Sequence, residues 1–192
     1  MAKENVTECD TVLKRTGLLD FVNKSIALQT TVHKIKQKLV ISRICTIRDC
    51  VHKCLALQQS LGRASLVAIF LQDANSQREE KITMSFYSTL NLDGRNKQLV
   101  TLRLVKRNLY LSCSLGEGGP QLCLETNNNV GELNNCELQR FIFMKSENGS
   151  TSSFESAACP GWYISTSQKE NDLVQMMPES DQRFFKNFLV FP

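Results

Sequence analysis

The chain has 192 residues, 42% of them hydrophobic and 22% charged, a balance that argues against wholesale disorder and suits one domain with an appendage or one large all-β domain. Its net charge is +4, but seven of the 23 bases and four of the 19 acids fall in residues 1–40, which leaves 16 against 15 in the remaining 152. A nearly neutral body argues against a nucleic-acid or heparin surface, because affinity for phosphate or sulfate needs clustered cations.

The first ten residues carry four charges and no apolar run, and the apolar patch at 17–22 is broken by Asp20. Neither a secretory signal nor a membrane span is expected. A chain made in the cytosol keeps its thiols reduced. The eight cysteines (9, 45, 50, 54, 113, 123, 136 and 159) are therefore expected mostly as small buried hydrophobes. Apolar residues between Val12 and Leu39 are spaced raggedly but compatibly with helix, while Gly17 and Thr30-Thr31-Val32 weaken the pattern. Residues 1–40 read as a loosely helical or disordered leader. An amphipathic helix for a membrane or a partner is the sharper alternative. Lys34, Lys36 and Lys38 read as a solvated linker.

From Ile41 the pattern changes to short strands between turn residues. The candidates are 42–48, 53–57, 65–71, 81–87, 99–105, 108–114, 121–125, 140–145, 152–156, 162–166, 172–176 and 184–191. Turns are marked by Asp93-Gly94, the glycine-rich run 116–120, Asn127-Asn128-Asn129, Asn134-Asn135, Asn148-Gly149 and Pro160-Gly161. A dozen short strands fit a sandwich, a barrel or a trefoil. Segments 53–58, 108–113 and 162–166 echo one another about fifty residues apart. Three copies of a four-stranded unit would make an all-β, pseudo-threefold β-trefoil over residues 41–192.

Catalytic equipment is missing. Cys45, Cys50, His52 and Cys54 resemble a metal set. Along one extended strand, however, they could not wrap a tetrahedron, so buried or near-core thiols are the expected reading. Of the two histidines, His33 lies in the leader and His52 has no evident acid partner. There is no G-x-S-x-G, P-loop or G-x-G-x-x-G. Glu79-Glu80 reads as a solvated pair. The sequons at Asn5, Asn23 and Asn148 should stay bare without entry to the secretory pathway, and Asn148-Gly149 fits a hairpin turn better. No enzyme activity, cofactor or metal is expected.

The densest segment is Phe154-Glu155-Ser156-Ala157-Ala158-Cys159-Pro160-Gly161-Trp162-Tyr163-Ile164-Ser165-Thr166, which holds the only Trp. It reads as a strand, a Pro-Gly turn and a second strand. With Val174 eight positions on, it resembles the interleukin-1 family pattern Phe-x-Ser-Ala-x-x-Pro-x-x-Tyr-Ile-Ser-Thr. Residues 45–49, 84–86, 108–113, 140–143 and 162–171 are similar to the family's agonists. Leu71-Gln72, Glu79-Glu80-Lys81-Ile82 and residues 156–162 are similar to its receptor antagonist. The resemblance covers about residues 41–192.

That resemblance implies a β-trefoil without catalysis, made in the cytosol and exported by a route independent of a signal peptide. It also implies a monomer that docks on an immunoglobulin-type interleukin-1 receptor and, in agonists, recruits an accessory receptor chain to trigger inflammatory signalling. The matching motifs carry receptor contacts over to Thr46, Arg48, Gln72, Phe86, Lys145, Glu147, Gln168 and Asn171. These are a few exposed charges and amides with one aromatic, and Phe86 could equally be core. On that reading Arg48→Ala or Lys145→Ala weakens receptor binding with the fold intact. Accessory-chain recruitment maps to Asn187 and Lys186. Agonists have Asp before the last aromatic and the antagonist has Lys, whereas this chain has Asn187, which keeps the shape of Asp without its charge. A receptor antagonist is therefore the alternative function, and a heparin- or sugar-binding trefoil a remoter one. Asn134-Asn135-Cys136 replaces a basic cluster found in the agonists. No Asp lies between Asp20 and Asp49, so a processing protease would be trypsin-like, at Lys36, Lys38 or Arg43.

Overall fold

A computed structural model describes residues 39–60, 62–72, 77–87, 97–127 and 136–192. The leader through residue 38, with His33, Lys36 and Lys38, lies outside the described residues, as do the Asp93-Gly94 and Asn134-Asn135 turn signals.

Period-two burial sets the strands. In β1 (Leu39–Asp49), Cys45, Ile47 and Asp49 turn inward while Thr46 and Arg48 are only half-buried. Twelve more follow: β2 (Cys54–Ser60), β3 (Arg63–Ile69), β4 (Ile82–Tyr87), β5 (Lys97–Leu104), β6 (Leu109–Gly116), β7 (Gly119–Thr126), β8 (Phe143–Asn148), β9 (Thr151–Ser156), β10 (Trp162–Ser165), β11 (Asp172–Leu173), β12 (Gln175–Pro178) and β13 (Phe188–Phe191). β1 pairs with β4, β4 with β5, β5 with β8, β8 with β9, β9 with β13 and β13 with β1. These six strands close a ring, so each has a neighbour on both sides over at least part of its length. The pairs β2–β3, β6–β7 and β10–β12 form three hairpins outside it. Each consecutive stretch of roughly fifty residues thus repeats one plan, a ring strand, a hairpin and a ring strand, and three such units make the β-trefoil. The echo segments fall on β2, β6 and β10, the second strand of each unit. Ring strands point Ile47, Val100, Leu102, Phe143, Phe154 and Phe188 into one core.

Turn chemistry sits where the residues indicate. Gly116 pairs with Gly119 across the two-residue turn Glu117-Gly118, and Gly119, which opens β7, has φ 109°. Asn148 pairs with Thr151 across Gly149, φ 60°. At Gly161, φ 81°, the backbone N–H donates to Glu155 Oε1 at 2.8 Å, and Trp162 N–H donates to the Cys159 carbonyl at 3.1 Å.

Five expectations are corrected. Arg140 is not in a strand: residues Cys136–Phe141 form a 3-10 turn, in which Arg140 pairs with Glu125 at 3.0 Å and stacks 4.9 Å from the Phe141 ring. Segment 172–176 is two strands, because Val174 N–H donates to the Leu66 carbonyl and the chain changes partner from β3 to β10. The last strand begins at Phe188, while Phe185 makes only an isolated bridge to Thr166. Cys50, His52 and Cys54 do not share a strand, since residues 50–53 turn between β1 and β2 with His52 at φ 68°. Cys50 and His52 are exposed and Cys54 is buried, and no metal-binding cluster occurs among the described residues. Finally, Arg43 pairs with Met84 inside β1, which already begins at Leu39.

Candidate functional site

β1 pairs with β4 over residues 39–45 but meets β13 only over 46–49. Its opposite edge is therefore unpaired along 39–45 among the described residues. There it borders a groove of about 700 Å³ whose walls include Ile41, Ile44, Phe86, Lys145, Glu147 and Val190. Val40 is 67% exposed and Ile44 55%. Branched apolar side chains contiguous on an open edge are costly in water and mark a surface that something covers. Three expected site residues, Phe86, Lys145 and Glu147, converge on this groove. Phe86 lies between the two readings offered for it, half-buried and packed against the core yet facing the groove.

Lys145 departs from expectation: it is 5% exposed rather than a surface charge. Its ammonium donates to Glu147, whose carboxylate is largely exposed, and this hydrogen bond holds the Glu147 carboxyl below its usual range. Lys145 therefore presents Glu147 to the groove mouth, and Lys145→Ala would disturb the wall itself. The fold-neutral substitution is at Glu147.

A second group gathers at the far end of β1. Arg48 pairs in register with Cys54, and Cys54 with Ile69, three residues before exposed Gln72. The loop carrying Gln168 and Asn171 lies on β3: Asn171 N–H donates to the Ala68 carbonyl at 2.9 Å, and Phe70 N–H to Glu170 Oε1 at 3.1 Å. Asn171 sits at φ 60°, a conformation Asn tolerates better than most residues. Gln168 and Asn171 are both exposed. Thr46 lies on β1 between the two groups, one residue beyond Cys45 of the groove wall.

Arg48 does not stand free. Its Nε donates to Glu79 Oε1 at 2.8 Å, and its guanidinium lies 5.3 Å from the Phe191 ring centre. This overturns the solvated reading of Glu79-Glu80: Glu79 is paired, and Glu80 is buried with one carboxylate oxygen that has no partner among the described residues. The adjacent segment brings one cation, Lys186, beside an uncharged Asn187. Asn187 is exposed, and the Lys186 ammonium donates to the Asp181 carbonyl. A second hollow of about 600 Å³, among Leu66, Leu122, Trp162 and Met176 at the hairpin end, contains none of the expected residues.

The thiols behave mainly as core. Cys45 and Cys54 are buried, and burial pushes each up to about 11, opposed at Cys45 by the nearby Lys145 charge. Each of these thiols then holds about a hundredfold less thiolate near neutral pH than an ordinary cysteine, and the thiolate is the reactive form. At pH 8 iodoacetamide is expected to label exposed Cys50 in the native protein and to spare Cys45 and Cys54 until unfolding. Peptide mass spectrometry reads this directly, and equal labelling of Cys45 and Cys50 would contradict the burial.

A family model described as Interleukin-1 / 18 matches residues 71–188, more than half of the chain. The chain belongs to the interleukin-1/18 family. Its family relatives include interleukin-1 beta of Cavia porcellus, 41% identical over 132 residues, which span 69% of this chain and 48% of that protein. Interleukin-1 beta of Homo sapiens is 38% identical over 127 residues, 66% of this chain and 45% of that protein. The chain thus spans about half the length of these curated relatives. Among solved structures, the chicken cytokine interleukin 1 beta superposes with TM-score 0.72 at 28% identity, over 81% of this chain and 99% of that one. The pro-inflammatory cytokine interleukin-36alpha superposes with TM-score 0.57 at 25% identity, over 79% and 93%. These interleukin-1 relatives are cytokines, and none is named as an enzyme.

Proposed function

We propose that this interleukin-1 family chain is an extracellular signalling ligand that docks on an immunoglobulin-type interleukin-1 receptor. The observation that carries the reading is the groove beside the open edge of β1. It gathers Phe86, Lys145 and Glu147 next to exposed Val40, Ile41 and Ile44. An apolar floor with a polar rim is the anatomy of a protein interface. Arg48, Gln72, Gln168 and Asn171 extend the contact surface along the far end of β1, with Thr46 between. No helix among the described residues is long and apolar enough to cross a membrane. In this reading the protein is made in the cytosol, leaves by a route independent of a signal peptide and acts as a monomer.

Binding of the full chain to immobilised interleukin-1-type receptor ectodomain tests the surface. Glu147→Ala and Arg48→Ala are each expected to weaken affinity about tenfold, about 1.4 kcal/mol, with the circular dichroism spectrum unchanged. Unchanged affinity in both would remove the groove and rim from the receptor contact.

The sign of the signal rests on Lys186 and Asn187. Agonism requires that this segment recruit the accessory chain. An antagonist reading has one specific support: the exposed amide of Asn187 offers no charge, and the Lys186 ammonium is already engaged by the Asp181 carbonyl. Charge-assisted bonds are roughly twice as strong as neutral ones. Reporter cells bearing both receptor chains separate the readings. Activation by the chain alone supports the agonist, and inhibition of a known agonist supports the antagonist. Asn187→Asp is expected to raise activation in either case.

A further inference from the structure

Lys53 leads the large side chains that are wholly buried among the described residues. Its ammonium donates to the Ser167 carbonyl at 2.5 Å and the Lys169 carbonyl at 3.2 Å, so it grips the backbone on both sides of Gln168. It lies 3.4 Å from Asp49 Oδ2 and 5.8 Å from the centre of the Phe185 ring. Asp49, also fully buried, accepts from Val51 N–H at 3.1 Å and Lys53 N–H at 2.9 Å through Oδ1, and from the Thr166 hydroxyl at 2.8 Å through Oδ2. Thr166 and Phe185 exchange both backbone hydrogen bonds, at 3.0 and 2.8 Å. The β1–β2 turn therefore reaches two segments more than a hundred residues away, the 166–171 loop and the run entering β13.

We infer that Lys53 is a positioning residue for recognition: it fixes the Gln168–Asn171 loop against the 185–187 segment, so that receptor and accessory-chain contacts are presented in one geometry. An apolar side chain would fill that volume without the desolvation cost of a charge. What the ammonium adds is a grip on carbonyls, in a loop whose residues 167–170 belong to no strand. The segments it ties are those that carry Gln168 and Asn171 on one side and Lys186 and Asn187 on the other. The inference rests on the receptor reading above.

The test uses the full chain with Lys53→Met, and with Asp49→Asn/Lys53→Met, which removes both charges in case the single variant fails to fold. Residue-resolved amide exchange is expected to rise at least tenfold at 167–171 and 185–187 and to stay unchanged in β4, β5 and β8. Receptor affinity should fall about tenfold. Gln168→Ala and Asn171→Ala, which weaken binding in the unmodified chain, should add little in the Lys53→Met background. Unchanged exchange in both segments would overturn the inference. So would a uniform rise across all strands, or full additivity with Gln168→Ala, since either marks a merely structural lysine. If Gln168→Ala and Asn171→Ala have no effect in the unmodified chain, the receptor reading of that loop fails instead, and amide exchange alone decides the role of Lys53.

Discussion

Lys53→Ala is expected to destabilise the trefoil by about 3–5 kcal/mol, because it strands the buried Asp49 carboxylate and two carbonyls without their cation. For a domain of this size that lowers the melting temperature by on the order of 10 °C. Asp49 keeps the Thr166 hydroxyl and the Val51 and Lys53 amides as donors, which places the loss toward the lower end of the range. Asp49→Asn/Lys53→Met should cost far less than Lys53→Ala, since it removes both charges from a site where water cannot reach them. Chemical denaturation of the three proteins measures the difference. A loss below about 1 kcal/mol for Lys53→Ala would show that the ion pair is solvated in solution.

Phe154→Ala is expected to cost a similar 3–5 kcal/mol, for a different reason. Phe154 is 1% exposed on ring strand β9, and its ring lies 6.1 Å from that of Phe188 on β13, the neighbouring ring strand. Truncation leaves a void at the centre of the barrel, where strands from all three units converge and none can move inward alone. Phe191→Ala is the control. Phe191 is 39% exposed and contributes the ring beneath Arg48, so its loss should cost about 1 kcal/mol or less. Equal losses at the two positions in thermal denaturation would contradict the assignment of the core.

These two substitutions also separate what was legible in the residues from what was not. Phe154 sits in a segment whose alternation, Pro-Gly turn and single Trp mark a strand pair and carry the family resemblance, so its burial follows from a local pattern. Lys53 opens a segment that alternates just as well. Nothing local marks its ammonium as buried, because its partners at Ser167, Lys169 and Phe185 are more than a hundred residues away. The same limit explains Glu79 and Lys145. Glu79-Glu80 reads as solvated until β1 brings Arg48 to within 2.8 Å. Lys145 reads as a surface charge until β8 turns it into the groove wall.

The irregularities fail for a related reason. The break at Val174 and the late start of β13 are set by which strand the chain meets next, β3, β10 or β1, and not by propensity. The cysteines around His52 show the converse: one extended strand would run through them, but a residue at positive φ places a turn there instead.

The class of the fold and the family follow from the order of the residues. Period-two alternation, turn residues and the 154–166 motif are local properties, written in consecutive residues and independent of what lies across the barrel. Tertiary structure alone decided the groove beside β1, the division of the expected contacts into a groove group and a rim group, and the buried Asp49–Lys53 pair between two remote segments. Each of these depends on ring closure, which sets side by side residues that no spacing along the chain connects.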